Sequence, residues 1–283
     1  MPSAVPPIQK RKINESRETQ MEQTYSQSEK VIALNVDGGN VPIFLIHGVK
    51  GQAYISPHFI QILGEDQPVY AFQASGLQRP KKRHCTIEEM ASQYIAAMRK
   101  VRTRGPYVIG AIAIGSVVAI EMAQQLTAHG EDVAPLLLID PPVAPPGERS
   151  WFRRVRRGVV DRIRRKFSEE KLNRQLENDF RRISAAERIA LDMTNQEAVE
   201  IACRVAYDFR LALNDYQLKP FTGDVFLLGS RGRLSKGGRL RAKLKGKVEI
   251  FDIGETHDEI HDVNNDRFAQ QLRISVDAIM AQL

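Results

Sequence analysis

Short, continuous apolar runs recur along the chain after residue 30, and stretches with helical periodicity separate them. A strand buried on both faces of a sheet is apolar at almost every position, whereas an amphipathic helix repeats its apolar residues every three or four positions. The continuous runs predict strands at 31–35, 41–46, 68–73, 107–112, 133–139, 224–228 and 248–251. Strands that alternate with helices indicate an α/β fold with a mostly parallel central sheet and helices on both of its faces.

Local signals predict several element boundaries. Thr86 and Glu89 have the spacing of a capping box, in which each side chain bonds the other residue's backbone, so a helix is predicted to begin there. Residues 57–63 predict a short helix, and the apolar repeat over 268–279 predicts a closing one. The turn-forming residues 37–40, Asp-Gly-Gly-Asn, predict a hairpin between the first two strands.

Small residues mark the junction between the run 107–112 and the helical repeat that follows it. Ala111 and Gly115 stand two positions either side of Ala113. This is the layout of the G-x-S-x-G nucleophile elbow, a sharp strand-to-helix turn that needs small neighbours because backbones approach closely. The nucleophile position holds Ala113, which has neither hydroxyl nor thiol. One alternative is a buried strand and core helix without a site. The other takes Ser116 as the nucleophile, but its neighbours two positions either side are large and β-branched, so Ser116 fits the sharp turn poorly.

Two further candidate residues follow predicted strands. In open parallel sheets, ligands bind at the carboxyl ends of the strands. Asp140 directly follows one strand, and His257 lies in the loop after the last. With position 113 they give the chain order nucleophile, acid, base of strand–elbow–helix hydrolases. The segment after Leu228 has no carboxylate, which favours Asp140 as the acid. A strand-end turn residue at 140 and an ordinary loop histidine at 257 are the alternatives.

Residues 145–218 interrupt the alternation with predicted helices only, and a helical insertion over the active edge is typical of a lid. Its first part, 149–167, is a basic amphipathic helix whose arginines include Arg153, Arg156, Arg157 and Arg164. These arginines are candidates for docking an acidic protein or a phosphate-bearing ligand, and a solvated arginine face is the simpler alternative. A peripheral membrane contact is less favoured. Nucleic acid is disfavoured because the chain has no nucleic-acid motif.

Composition narrows the class further. The 283 residues carry a formal net charge of +7 and a pI near 9.4, which favours an anionic partner. No apolar run approaches the roughly 20 residues of a membrane span. Residues 1–30 lack the apolar core of a secretory signal and predict a disordered leader or linker, which leaves 31–283 as one domain. Cys85 and Cys203 have no metal-ligand spacing, so we predict no metal site and a cytoplasmic protein with reduced thiols.

The chain resembles the thioesterase domain of non-ribosomal peptide and polyketide synthases, part of the α/β-hydrolase superfamily, from about Val31 to Leu283. The resemblance rests on segments Ile43–Gly48, Gly110–Gly115, Val118–Ala123, Leu136–Asp140, Gly254–His257 and Ala269–Leu272. Each segment alone is weak, whereas the set is quite specific. It implies the α/β-hydrolase fold, a mostly parallel sheet with helices on both faces and a helical lid insertion.

The resemblance also implies a role for each candidate residue. The backbone N–H groups of Val49 and Ile114 would form the oxyanion hole, His257 would be the general base and Asp140 would orient it. The family takes an acyl or peptidyl chain from the phosphopantetheine arm of a carrier protein onto Ser or Cys, then releases it to water, an amine or an internal hydroxyl. The implied partner is therefore an acyl or peptidyl carrier protein or an acyl thioester. No cofactor of the chain's own is implied, because the arm belongs to the partner.

The sequence departs from the family pattern at its centre. Ala113 stands in place of the Ser or Cys, while Ser116 and Ile112 replace a frequent Gly and a frequent aromatic residue. One hypothesis is a thioesterase-type acyl hydrolase or acyl transferase of secondary-metabolite biosynthesis with a substituted nucleophile, engineered or natural; the retained Asp140 and His257 favour it. The other is a pseudoenzyme that binds an acyl carrier or acyl ligand on the same fold. In either case turnover by the chain as written is predicted to be negligible.

Overall fold

The computed structural model describes residues 31–49, 51–53, 57–74, 77, 85–143, 196–262 and 264–283. Within these ranges the strands are β1 (Val31–Leu34), β2 (Ile43–Ile46), β3 (Val69–Phe72), β4 (Val108–Ile112), β5 (Leu136–Ile139), β6 (Val225–Gly229) and β7 (Val248–Asp252). The α-helices are α1 (Pro57–Leu63), α2 (Ile87–Val101), α3 (Ser116–Ala128), α4 (Gln196–Asp215), α5 (Arg231–Leu234), α6 (Gly238–Arg241) and α7 (Asp266–Met280). Two 3-10 turns occupy Ala113–Gly115 and His257–His261.

The strands of the described ranges form one sheet in the order β1-β3-β2-β4-β5-β6-β7. β1 is antiparallel to β3, and every other neighbouring pair is parallel. The predicted mostly parallel sheet is confirmed. The predicted hairpin is wrong, because Val31 lies opposite Phe72 of β3 whereas Ile43 of β2 lies opposite Val69. β2 is buried at all four positions and pairs with β3 and β4, so neither of its edges is left for β1.

Alternation along the buried strands divides the core into two layers. Phe44 and Ile46 pack on one face with residues of α2, α3 and α4. Ile43 and Leu45 pack on the other face with residues of α1 and α7. Successive strand side chains point to opposite faces, so a strand that is apolar throughout needs helices on both sides. The prediction of helices on both faces is confirmed.

The predicted capping box is present at the start of α2. The backbone N–H of Glu89 donates to Thr86 Oγ1 at 3.1 Å, and the backbone N–H of Thr86 donates to Glu89 Oε2 at 3.0 Å. Two otherwise unpaired donors of the helix start are thereby satisfied. The prediction that a helix begins here is confirmed.

The lid predicted over 145–218 stays a prediction, because 145–195 lie outside the described residues, as does the leader 1–30. The described part of the segment contains α4. The residues that directly follow α4 are bound to α3. The Tyr216 hydroxyl donates to Glu121 Oε2 at 2.5 Å, and both side chains are buried. Gln124 Nε2 donates to two main-chain carbonyls just beyond, at 3.2 and 3.0 Å. These contacts hold the point where the chain rejoins the sheet.

Candidate active site

The junction of β4 and α3 has the geometry of a nucleophile elbow. Ala113 has a φ of +51°, in the left-handed region that residues other than glycine seldom adopt. A Cβ atom built on Gly115 would lie 2.2 Å from the carbonyl oxygen of His47, so no larger residue fits without a backbone shift. Ala111 is fully buried between neighbouring strands. Ser116, the alternative nucleophile, is fully buried at the first turn of α3, which disfavours that role.

An acid–base pair lies at the ends of two other strands. Asp140 follows β5 and is fully buried. Its φ of +47° lies in the left-handed region, so the backbone leaves the extended conformation of the strand at this residue. His257, whose side chain is 31% exposed, donates through Nδ1 to Asp140 Oδ2 at 2.5 Å. A neutral imidazole that donates through Nδ1 has its lone pair on Nε2. The pair can therefore accept a proton at Nε2 while the carboxylate stabilises the imidazolium.

Asp140 has two further partners, Ser230 and Arg233, which sequence reasoning missed. Oδ1 accepts from the Ser230 backbone N–H and hydroxyl, both at 2.9 Å, and Oδ2 lies 3.2 Å from Arg233 Nε. Burial alone would raise the pKa of Asp140, but hydrogen bonds from His257 and Ser230 and the charge of Arg233 together hold it below its ordinary value. These contacts join residues about 90 positions apart, so no local spacing signals them.

The loop that carries His257 is organised by a second capping box. Glu259 accepts hydrogen bonds from the backbone N–H groups of Glu255 and Thr256 and from the Thr256 hydroxyl, each at 3.0 Å. The donors, foremost the Glu255 N–H, hold the pKa of Glu259 below its ordinary value. Gly254 has a φ of +134° at the loop entrance, which favours glycine. The Thr-x-x-Glu spacing is the same as at the start of α2, so the sequence did contain this signal.

The loop after β2 is held by a buried histidine. Burial lowers the pKa of His47 to about 4, so the ring is neutral near pH 7. Its Nδ1 donates to the Gly48 carbonyl at 2.7 Å, which leaves Nε2 to accept from the Tyr94 hydroxyl, also at 2.7 Å. The Gly48 carbonyl accepts a second bond from the Gly51 N–H at 3.1 Å. Because a trans peptide is planar, fixing this carbonyl also fixes the opposite direction for the N–H of Val49.

The strand register brings these loops to one edge of the sheet. Ile46 of β2 lies opposite Ala111 of β4, and Ile139 of β5 lies opposite Ile112. The loop after β2 touches the elbow directly, as the close approach of Gly115 to the His47 carbonyl shows. Val49 and Ile114 thus follow neighbouring parallel strands on the same side. Their role as oxyanion donors stays a prediction, as do the roles of position 113, Asp140 and His257.

The predicted docking arginines Arg153, Arg156, Arg157 and Arg164 lie outside the described residues. Their role stays a prediction. None of the described helices has the length and apolar character needed to traverse a bilayer.

Fold and site together define the class of protein. A mostly parallel sheet, a strand–elbow–helix junction and a buried carboxylate bonded to an imidazole at the carboxyl edge are the features of the α/β-hydrolase fold. Solved structures agree. The NocB thioesterase domain from the nocardicin cluster aligns with a TM-score of 0.62 and 24% identity over 88% of this chain and 99% of that one. The surfactin thioesterase domain aligns with a TM-score of 0.62 and 17% identity over 89% and 99%.

Sequence comparison identifies the family. The family model of the thioesterase domain matches residues 41–275, and the chain belongs to this family. It is 34% identical over 105 residues to the nonribosomal peptide synthetase btyA of Aspergillus terreus, covering 37% of this chain and 11% of that protein. It is 32% identical over 119 residues to the atromentin synthetase nps3 of Serpula lacrymans, covering 42% and 12%. The match thus spans only about an eighth or less of these curated relatives.

Proposed function

We propose that this chain acts on an acyl or peptidyl group held as a thioester on the phosphopantetheine arm of a carrier protein, and that it releases or transfers that group in secondary-metabolite biosynthesis. One observation carries the proposal. The imidazole of His257 is bonded to the buried Asp140 carboxylate at the same sheet edge where the elbow presents position 113. Family membership and the named synthetases support the substrate class.

The proposed chemistry requires Ser or Cys at position 113. His257 takes the proton of this nucleophile, which forms a bond to the thioester carbon while the developing oxyanion accepts from the N–H groups of Val49 and Ile114. The carbon–sulfur bond then breaks, and the departing thiol receives the proton from His257. Water, an amine or a hydroxyl attacks the acyl-enzyme in a second step with His257 again as base. Asp140 remains ionised and stabilises the imidazolium in both steps.

Ala113 removes the covalent step and keeps the rest of the arrangement. In triad enzymes, loss of the nucleophile leaves a rate only about 10³–10⁴-fold over water. The chain as it stands is therefore proposed to bind and orient an acyl thioester with negligible turnover. Ala113 itself is the observation that favours the second candidate function, a pseudoenzyme that binds an acyl carrier or acyl ligand.

The proposed partner is an acidic carrier protein, in keeping with the net charge of +7. The lid over 145–218 would shape the acyl pocket, and Arg153, Arg156, Arg157 and Arg164 would contact the carrier or the phosphate of its arm. The only prosthetic group involved is the phosphopantetheine of the partner. Action in the cytoplasm is part of the same proposal.

Restoring a nucleophile tests the proposal. Ala113→Ser and Ala113→Cys are assayed with acyl thioesters of N-acetylcysteamine and with a carrier protein whose phosphopantetheine arm is acylated. We expect acyl release at least about 10³-fold above the unmodified chain, since the nucleophile supplies most of the rate. Adding His257→Ala to each restored variant is the matched control and is expected to abolish the gain.

The assay also separates the two candidate functions. If neither restored variant releases any acyl group, while the unmodified chain binds the acylated carrier more tightly than the carrier with a free thiol, the pseudoenzyme is correct. If the chain shows neither turnover nor such binding, both candidate functions are wrong.

A further inference from the structure

Arg233 reaches the candidate site from a segment that contributes no carboxylate to it. The residue lies on the short helix α5, in the connection from β6 to β7, and its side chain is 29% exposed. Its Nε lies 3.2 Å from Asp140 Oδ2. Its Nη1 donates to the main-chain carbonyls of Asp140 at 2.6 Å and of Pro141 at 3.3 Å. One guanidinium thus contacts both the side chain and the main chain of the acid.

Asp140 is a residue whose position requires such support. Its φ of +47° is unusual for a residue other than glycine, and its carboxylate is fully buried. The Asp140 backbone N–H donates to the Leu228 carbonyl at 2.6 Å, and Ser230 binds Oδ1. Arg233 binds the main-chain oxygen of Asp140 and shares Oδ2 with His257. A planar guanidinium has several donors in a fixed fork, and a lysine ammonium cannot reproduce that geometry.

The charge of Arg233 has a second effect. Oδ2 of Asp140 accepts from His257 Nδ1 and also faces Arg233 Nε. A fixed cation beside a carboxylate favours its ionised form. Arg233 therefore affects both where the acid lies and how strongly its ionised form is favoured.

We propose that Arg233 is a positioning residue of this site, which holds the Asp140 carboxylate against the His257 ring. Its kinetic consequences rest on the acyl-transfer function proposed above, whereas its geometric content can be tested in the chain as it stands. The same connection offers a matched control in Arg239, which is exposed on α6.

The first experiment uses the unmodified chain and needs no turnover. The Nδ1 proton of His257, in its short hydrogen bond to Asp140, is followed by proton NMR downfield of the amide region. In Arg233→Gln we expect this resonance to shift upfield or to broaden through exchange, because the acid is less firmly held. In Arg239→Gln we expect no change. An identical resonance in the unmodified chain and in Arg233→Gln would overturn the proposal.

The second experiment uses the Ala113→Ser chain. Arg233→Gln is expected to lower kcat/KM by up to about 10²-fold, the size of loss that misplacement of a catalytic group produces. The acidic limb of the pH–rate profile should move to higher pH, because without the guanidinium the Asp140 carboxylate takes up a proton at higher pH. Arg233→Lys keeps the positive charge but loses the planar fork of donors. We therefore expect a smaller loss of kcat/KM and no movement of the acidic limb. Arg239→Gln should change neither quantity.

The two experiments test the proposed function and the role of Arg233 independently. If Ala113→Ser shows no turnover with any acyl thioester, the proposed function is wrong, and the NMR comparison still decides the role of Arg233. If turnover occurs but Arg233→Gln and Arg239→Gln have the same rate and the same acidic limb of the pH–rate profile, the positioning role of Arg233 is overturned. Should Arg233→Gln fail to fold, Arg233→Lys and Arg239→Lys replace the pair. Identical Nδ1 resonances and rates in these two lysine variants would equally overturn it.

Discussion

At the scale of single residues, the site consists of buried polar groups, each with specific partners. Asp140 binds three side chains and two main-chain groups, and its carboxylate stays ionised although it is fully buried. His47 stays neutral because burial outweighs its hydrogen bond to Gly48. Such groups are costly to bury without partners. The residues that satisfy them are therefore part of the site even where they touch no substrate.

The buried His47 predicts a loss of stability in mild acid. Its pKa is about 4 in the folded protein, against about 6.5 for an unperturbed histidine. The unfolded chain therefore takes up this proton first, so the contribution is complete above about pH 6.5 and is lost as the pH falls to about 4. The total is about 3 kcal/mol of unfolding free energy. Urea unfolding between pH 4 and pH 7 should show a steep slope that His47→Asn reduces. An equal reduction in His129→Asn, an exposed histidine, would contradict this assignment.

Ser230 provides a second test at this scale. Ser230→Ala removes the hydroxyl that donates to Asp140 Oδ1 and leaves the backbone donor in place. We expect a loss of about 1.5–3 kcal/mol in unfolding free energy, the range for hydrogen bonds to charged groups. Ser235→Ala, on an exposed serine of the same connection, is the control and should change stability by less than about 0.5 kcal/mol. Equal effects of the two substitutions would mean that the contact to Asp140 contributes nothing.

At the scale of elements, the sequence predicted the positions of the strands well, but it did not predict which strand pairs with β1. Every described strand coincides with a predicted run. Continuous apolarity follows from burial on both faces in β2, β5 and β6, whereas β7 contains Glu249 and has no fully buried position. The hairpin was predicted wrongly, because turn residues reverse the chain without specifying which strand lies alongside. The helices α5 and α6 were not predicted, since Ser, Gly, Arg and Lys dominate 230–239 and no apolar period marks them. That segment also supplies Ser230 and Arg233, whose contacts to Asp140 span about 90 positions and therefore have no local signal.

The elbow predicts a steric requirement at Gly115. Its φ is −57°, which any residue adopts, so glycine is needed there for space alone. Gly115→Ala would place a Cβ atom 2.2 Å from the His47 carbonyl oxygen. We expect a loss of about 1–3 kcal/mol in unfolding free energy, the usual cost of overpacking a core. Gly39→Ala is the control, because nothing lies within 4 Å of its built Cβ atom. A Gly115→Ala protein as stable as Gly39→Ala would contradict the close packing of elbow and loop.

At the scale of the whole molecule, the fold could be predicted from the alternation of strands and helices. The candidate site was placed at the carboxyl ends of the strands, and its role stays a prediction. What the sequence did not contain was the set of long-range contacts that join separate segments. Tyr216 and Glu121 are 95 residues apart, and they join the end of the predicted lid segment to the elbow helix. Contacts of this kind depend on how the elements pack, which periodicity does not encode.

This contact predicts a cost for removing one hydroxyl. Burial raises the pKa of Tyr216 well above its ordinary value, so the phenol stays protonated and donates to Glu121. Tyr216→Phe leaves a buried carboxylate oxygen without its donor, and we expect unfolding free energy to fall by about 1–3 kcal/mol. Tyr70→Phe, on a half-buried tyrosine of β3, is the control for loss of a hydroxyl. Denaturant unfolding that shows the same stability for both variants would contradict the role of this contact.

The proposed function requires that position 113, His257 and Asp140 form one acyl-transfer site. It is tested most directly by labelling the Ala113→Ser chain with a fluorophosphonate and measuring intact mass, followed by peptide mapping. We expect one adduct, on residue 113, that is absent from the unmodified chain and from Ala113→Ser combined with His257→Ala. No adduct on Ala113→Ser, or an adduct on Ser116 instead, would contradict it.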